Sequence, residues 1–397
     1  MASLRTNILT LFPRMTRKQR RQYRQNVAIR NKHALIIMCF PVMFIAKFMV
    51  NYLLPPKYFF DNNRILSMVN GTAGDAAWGG SYEVAAGLFQ KINVFHLETM
   101  KDWSTCLGCI FTLFVMIVLV ESDSPDLLQG LFTLATVGLL NIYIFNIGKD
   151  IIQFAFFFAV YMVLVIPIHH PWIKLAGSAA ILYYESTFFR QYYVLIAALV
   201  IAVYIILTYF RRKKKLSWGS AFAIIGLLFL TIYAVMVASS VAMKDEYTTI
   251  IGLRAGYENT FGEDNGGNMT TAIQNKIPGD GLPIFMVNYI INIFRMLIPI
   301  ELVSNGIFYI PFFLFQCAVT AYVINLLRQI NVIEDPKIHV ALCVFIGYVL
   351  ASVLFEPDFG SWTRHEAATF PVLMALVLNP YQKVPLTNEE RMLHGMQ

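Results

Sequence analysis

Long apolar runs, broken by short polar stretches, organise this chain. A helix needs about 20 mostly apolar residues to cross the hydrocarbon of a bilayer. Runs that suit fall at 34–54, 105–121, 127–147, 151–168, 172–187, 191–210, 217–243, 306–327, 338–355 and 367–380. The breaks include Glu121-Ser122-Asp123-Ser124-Pro125, Gly148-Lys149-Asp150, His169-His170-Pro171 and Arg211-Arg212-Lys213-Lys214-Lys215. The pattern predicts an all-α, polytopic transmembrane protein of about ten or eleven spans.

One segment, 284–303, is apolar yet striped: Asn288, Asn292 and Arg295 recur at i, i+4 and i+7 along one helical face, with Pro299 and Glu301 following. Lys/Arg bias bears on whether it crosses. With the N-terminus inside, Arg211 to Lys215 fall inside after the sixth run. If 284–303 does not cross, Arg328, Lys337, Lys383 and Arg391 lie inside too; if it does, all four are exported. The first threading obeys the rule. It gives ten spans in the cell membrane, both termini cytoplasmic, and 284–303 at or dipping into the outer face.

That threading divides the chain into a basic cytoplasmic segment (1–33), one polytopic membrane domain (34–380) and a short cytoplasmic tail (381–397). Residues 55–104, 186–190, 244–305 and 356–366 then face outward. Within the first outer loop, 82–95 has the pattern of an amphipathic helix. The stretch 262–270 has the Gly-rich, polar composition of a mobile loop. No internal repeat of the kind that marks many secondary transporters is visible.

Composition agrees. The chain is 57% hydrophobic and 14% charged over 397 residues, against about 25% charged in ordinary soluble domains. The formal charge of +7 is concentrated in Arg5, Arg14, Arg17, Lys18, Arg20, Arg21, Arg24, Arg30 and Lys32. This reads as a positive-inside segment on anionic lipid rather than a nucleic-acid site. The first run ends in Asn51-Tyr52-Leu53-Leu54-Pro55-Pro56, with no small-residue cleavage site, and so reads as an uncleaved anchor. Cys106 and Cys109 have redox-motif spacing but open an apolar run, where a free Cys packs as a small hydrophobe.

The candidate chemistry lies in the outward loops. Asp61 and Arg64 follow the first span; Asp61 could take the proton of an attacking sugar hydroxyl, or the two could be a solvated pair. Glu185 and Arg190 bracket a tight hairpin, where a salt bridge would also satisfy them. Arg295, inside an apolar stretch, needs a partner, either Glu301 or a ligand phosphate that suits its planar donor fork. In the turn 356–366, Glu356, Asp358, Arg364, His365 and Glu366 gather beside Trp362. His365 could donate to a phosphate or shuttle a proton. The plain alternative for this turn is a helix start capped by acids. No metal-ligand spacing occurs, and the glycosylation triplets at Asn70 and Asn268 carry no weight.

Lys57-Tyr58-Phe59-Phe60-Asp61, Phe189-Arg190-Gln191-Tyr192-Tyr193 and Ser361-Trp362-Thr363-Arg364-His365, set in this architecture, resemble the Wzy-type repeat-unit polymerases of bacterial O-antigens, capsules and exopolysaccharides. Those are multi-span, GT-C-like glycosyltransferases. The resemblance implies growth of a glycan on the outer face of the membrane, from polyprenyl-pyrophosphate-linked oligosaccharide, alongside other polysaccharide assembly proteins. It implies pyrophosphate binding by Arg190 and Arg364 and no sugar-nucleotide or metal cofactor. The loop at 244–283 is short for that family. The catalytic candidates are Asp61, His365, Glu366 and Asp358; the binding candidates are Arg64, Arg190, Arg295, Arg364 and Glu356. Two other readings stand beside this one: an enzyme adding one sugar from a polyprenyl monophosphate, and a flippase of lipid-linked glycan.

Overall fold

The computed structural model describes residues 17–212, 218–242, 244, 247–248, 250–252, 271–279 and 281–383. Among these described residues, seven helices are long and apolar enough to cross a membrane. They belong to α1 (Arg17–Phe48, prolonged by a π-helical turn, Met49–Leu53), α4 (Met100–Glu121), α5 (Leu127–Leu139, prolonged by a π-turn, Leu140–Ile144), α8 (Tyr193–Arg211), α9 (Trp218–Ala242), α12 (Ile310–Arg328) and α13 (Pro336–Phe355). Two shorter helices, α6 (Lys149–Val165) and α7 (Pro171–Ser186), run beside them. At 17 and 16 residues they reach roughly 24–26 Å at 1.5 Å per residue. The chain is an all-α membrane-type bundle, and the β-bridge found among the described residues is an isolated one, Ala272 to Asp358.

The helix ends show why the runs stop where they do. Thr99 and Asp102 close a capping box on α4, and Asp126 and Gln129 close another on α5, satisfying backbone donors that a helix start leaves free. Pro171 and Pro336 sit in the first turns of α7 and α13, where the missing N–H costs nothing.

At one end of the bundle, Asp123 N–H donates to Leu378 O (3.2 Å) and Glu334 N–H to the Tyr381 hydroxyl (3.1 Å). The short turns meet there. At the other end the long connections meet: α2 (Phe60–Val69) and α3 (Ser81–Ile92) lie over the start of α6, with Asn62 Nδ2 donating to Ile147 O (2.7 Å). The helix expected at 82–95 is α3, displaced slightly toward the N-terminus.

The striped segment forms α10 (Leu282–Leu297), followed by α11 (Ile300–Ser304). The strand-like residues before it pair with the turn after α13: Ile273 N–H donates to Pro357 O (2.8 Å) and Phe359 N–H to Thr271 O (2.9 Å). Leu302 and Tyr309, after it, line the cavity at that same end. So α10 enters and leaves at one end without crossing. Among the described residues the last pass between the two ends is the closing stretch after α14 (Phe359–Ala368), through α15 (Phe370–Val377), which brings Leu378 O to Asp123 N–H.

The centre of the bundle is α13, with 94% of its apolar window buried, whereas α9 is 17% buried and peripheral. Helix α13 packs tightly on α8 at Gly347, where an added Cβ would lie 2.9 Å from Val200 N and 3.2 Å from its Cα. Small residues let membrane helices approach this way. Gly226, in α9, faces nothing within 4 Å. The basic residues Arg5 and Arg14 and the loop 262–270 lie outside the described residues.

Gly347→Leu is expected to lower stability by at least about 1–3 kcal/mol through overpacking, and Gly226→Leu by almost nothing. Melting temperatures of the two variants in detergent check this.

Candidate functional site

The long connections enclose a cavity of about 1430 Å³. Its floor and walls draw on segments far apart in sequence: Lys57 and Asp61, Lys149, Arg190, then Glu356, Asp358, Arg364 and His365. Each of the four loops assigned outward contributes: Lys57 from the first, Arg190 from the second, Ile250 and Thr271 from the third and Glu356 from the last. Leu195 and Ala198 of α8, Val235 and Met236 of α9, Phe312 and Phe355 give one side an apolar lining.

Behind the wall sits a charge cluster. Asp150 Oδ1 lies 3.1 Å from Arg190 Nη2 and 3.0 Å from His365 Nε2. His365 Nδ1 lies 2.7 Å from Glu356 Oε1. With a carboxylate at each ring nitrogen, both nitrogens donate, so the ring is an imidazolium. Arg190 Nη1 donates to Gln153 Oε1 (2.6 Å), and Gln153 Nε2 donates to His365 O (2.8 Å).

Local structure explains the placement. Gly148 is extended at the start of α6, which puts Asp150 in the first turn, where the helix dipole favours a carboxylate. Lys47, buried in α1, donates to Asn141 O and Phe145 O (2.7 Å each) and so fixes the approach to that turn. Arg190 ends the α7–α8 hairpin, its carbonyl accepting from Tyr193 N–H (2.9 Å). His365 lies in the last turn of α14.

Burial alone would raise the Asp150 carboxyl, but His365, then Arg190 and Arg364, outweigh it and hold it well below the usual range. Burial works against charge on His365 as well; Glu356 and Asp150 reverse that and raise it above 6.5. Lys149 is lowered by burial, with Asp61 opposing.

Among the expected anion binders that line the cavity, Arg364 is the least committed. It lines the cavity and donates from Nη2 to Ser361 Oγ (3.1 Å), its one hydrogen bond among the described residues. Arg190 also lines the cavity, but two of its donors are held by Asp150 and Gln153. Arg295 is elsewhere. Its Nε and Nη2 form a two-point pair with Glu301 (2.9 and 2.7 Å), and Nη1 donates to Asn292 Oδ1 and Gln274 O. The hinge at Pro299 brings Glu301 round to it, so Glu301 and not a phosphate is its partner here. Arg64 does not line the cavity either; its guanidinium lies 3.7 Å from the Trp78 ring centroid.

The carboxylates sort similarly. Asp61 lines the cavity, with Lys149 Nζ at 3.5 Å and its side chain 34% exposed. Asp358 accepts from Ser361 N–H and Ser361 Oγ–H as the N-cap of α14, and Glu356 is committed to His365. Glu366 is wholly buried on the opposite face of α14, where Gln316 Nε2 donates to it at 3.3 Å. It does not line the cavity. Asp61 is the carboxylate most available to a ligand.

Sequence reasoning missed Asp150, Gln153 and Lys149. A signal was present: the run 127–147 leads outward, so the break at Gly148-Lys149-Asp150 falls on the same side as Asp61.

No protein-family model, curated protein or solved structure matches this chain. The function is therefore argued from the cavity.

Removing Asp150 leaves two largely buried cations facing each other. Asp150→Ala is expected to cost about 3–5 kcal/mol, with part recovered when Arg190→Ala is added; a double-mutant cycle of melting data reads the coupling. The raised His365 adds stability that is complete below 6.5 and fades as pH climbs through its higher folded value. Stability should therefore fall on the alkaline side, and His365→Gln should flatten that slope in melts from about pH 6 to about pH 9.

Proposed function

We propose that this chain is a membrane glycosyltransferase that polymerises lipid-linked oligosaccharide repeat units into an extracellular or capsular polysaccharide. The observation that carries the reading is the amphiphilic cavity. It sets a lightly committed guanidinium, Arg364, beside Arg190 and the His365 imidazolium, puts Asp61 in the same space, and backs them with an apolar wall. A lipid pyrophosphate needs both halves, cations for the phosphates and apolar surface for the first isoprene units.

In the reaction, a hydroxyl oxygen of one lipid-linked glycan attacks the anomeric carbon of another. A glycosidic bond forms, and the bond from that carbon to pyrophosphate breaks. The polyprenyl pyrophosphate leaves with the bonding electrons, and the hydroxyl proton passes to Asp61. General-base help of this kind is worth about 10²–10⁴ in rate. Charge growing on the leaving pyrophosphate falls on Arg364 and Arg190, whose donor forks suit phosphate oxygens.

The Lys/Arg bias of the opposite end supports an extracytoplasmic cavity in the cell membrane. A transporter of lipid-linked glycan would need its charges along a path through the bilayer. Here the polar cluster is gathered at one end, and α13 fills the middle with buried apolar residues.

Arg364→Ala, which breaks a single hydrogen bond among the described residues, is expected to cut polymer formation by about 10²–10³, and Asp61→Asn by a similar factor. Product ladders from a glycan-producing host carrying each variant test this. Full-length polymer from Arg364→Ala contradicts the reading. A single added sugar from the unaltered chain favours an enzyme of the monophosphate-donor kind.

A further inference from the structure

The aromatic residues of the cavity around Trp78 have an arrangement that pyrophosphate binding does not explain. Trp78 lines the cavity and is half-buried. The Arg64 guanidinium covers its ring at 3.7 Å from the centroid. Two further rings brace its edges, Tyr82 at 4.8 Å and 84° and Phe60 at 6.2 Å and 62°. Phe60 and Arg64 lie one turn apart on α2 and so share a face. The ring is thereby clamped upright.

Space has been left beside it. Gly79 and Gly80 follow Trp78, and an added Cβ at either would meet nothing within 4 Å. Gly80 adopts φ 64°, which a side chain would strain. Tyr82, in the first turn of α3, lines the cavity together with Asp61, and Lys149 Nζ lies 3.7 Å from the Tyr82 centroid and 3.5 Å from Asp61 Oδ2. Trp78, Tyr82 and Asp61 thus form a continuous surface running from a flat apolar ring to a carboxylate.

A pyranose matches that surface. One face of the sugar presents C–H groups that stack on an aromatic ring, while hydroxyls at its rim reach polar neighbours. We propose that Trp78 is the stacking platform for a sugar ring of the acceptor glycan, and that Arg64 is a positioning residue that holds the indole in place. The inference rests on the glycosyltransferase reading: the base receives the proton of the acceptor hydroxyl, so the platform that touches the base on the Tyr82 side belongs to the acceptor. Arg64 then acts on the glycan through Trp78 and not on pyrophosphate.

The test uses the full chain in lipid nanodiscs, labelled with 5-fluorotryptophan and observed by ¹⁹F NMR. The chain has five tryptophans, and Trp78→Phe assigns the resonance. Two ligands are titrated separately: the repeat-unit oligosaccharide freed from its lipid by mild acid, and a polyprenyl pyrophosphate bearing no sugar. The oligosaccharide should move the Trp78 resonance. Trp78→Ala should weaken oligosaccharide binding by about tenfold and leave the pyrophosphate lipid unchanged within about twofold; Trp78→Phe should stay close to the unaltered protein. Arg64→Met should weaken the oligosaccharide alone, by several-fold. The inference is overturned if the unaltered protein binds no oligosaccharide, if Trp78→Ala binds it equally well, or if both ligands weaken together. Arg364→Ala separates the two claims. Unchanged binding of the pyrophosphate lipid there removes the polymerase reading, while the selective Trp78 effect keeps the sugar platform.

Discussion

Two cations held within 3.5 Å of each other in a largely buried site repel unless an anion is shared between them, and in this chain the shared anion is Asp150. One carboxylate oxygen serves both Arg190 and His365, and Glu356 closes the far side of the imidazolium. The segments that meet there come from the starts of α6 and α8, the end of α13 and α14. Without that carboxylate the connections at this end of the bundle would have no common electrostatic anchor. The support continues inward, because Lys47 and Asn62 fix the backbone that presents Asp150.

The cluster divides the charged residues by task. Asp150, Glu356 and Gln153 satisfy Arg190 and His365 from behind, a costly arrangement that is stable only when every member is paired. Arg364 stands in front with most of its donors uncommitted. Asp61, balanced by Lys149, stands in front with a partly exposed carboxylate. A site built this way keeps its cationic side rigid and reserves one guanidinium and one carboxylate for a ligand. The apolar surface of α8 and α9 and the braced Trp78 line the same cavity, which suits a substrate that joins a lipid, a diphosphate and a sugar.

Much of the architecture was legible from hydrophobic spacing. The expected run 338–355 is α13 from Pro336, and 191–210 is α8, because runs of that length bounded by charge have few other solutions. The Asn288–Asn292–Arg295 stripe correctly marked α10 as unlike a lipid-exposed span; its polar face binds residues 274–277. Side-chain partners were less legible. Arg295 needed an anion, but pairing with Glu301 depends on the bend at Pro299, which spacing does not reveal. Glu366 looked equivalent to His365, yet one residue along a helix turns the side chain by about 100°, enough to send it away from the cavity toward Gln316. Asp150 looked like a loop residue because a three-residue break gives no pattern; its importance comes wholly from contacts distant in sequence.

The claim on which the account turns is that the converging outer loops form the seat of a lipid pyrophosphate. A structure of the chain in nanodiscs with a bound polyprenyl pyrophosphate tests it most directly. The account places the phosphates against Arg364 and Arg190, with the lipid chain leaving past Leu195 and Met236. Phosphates seated away from both arginines, with the cavity still open, would contradict it.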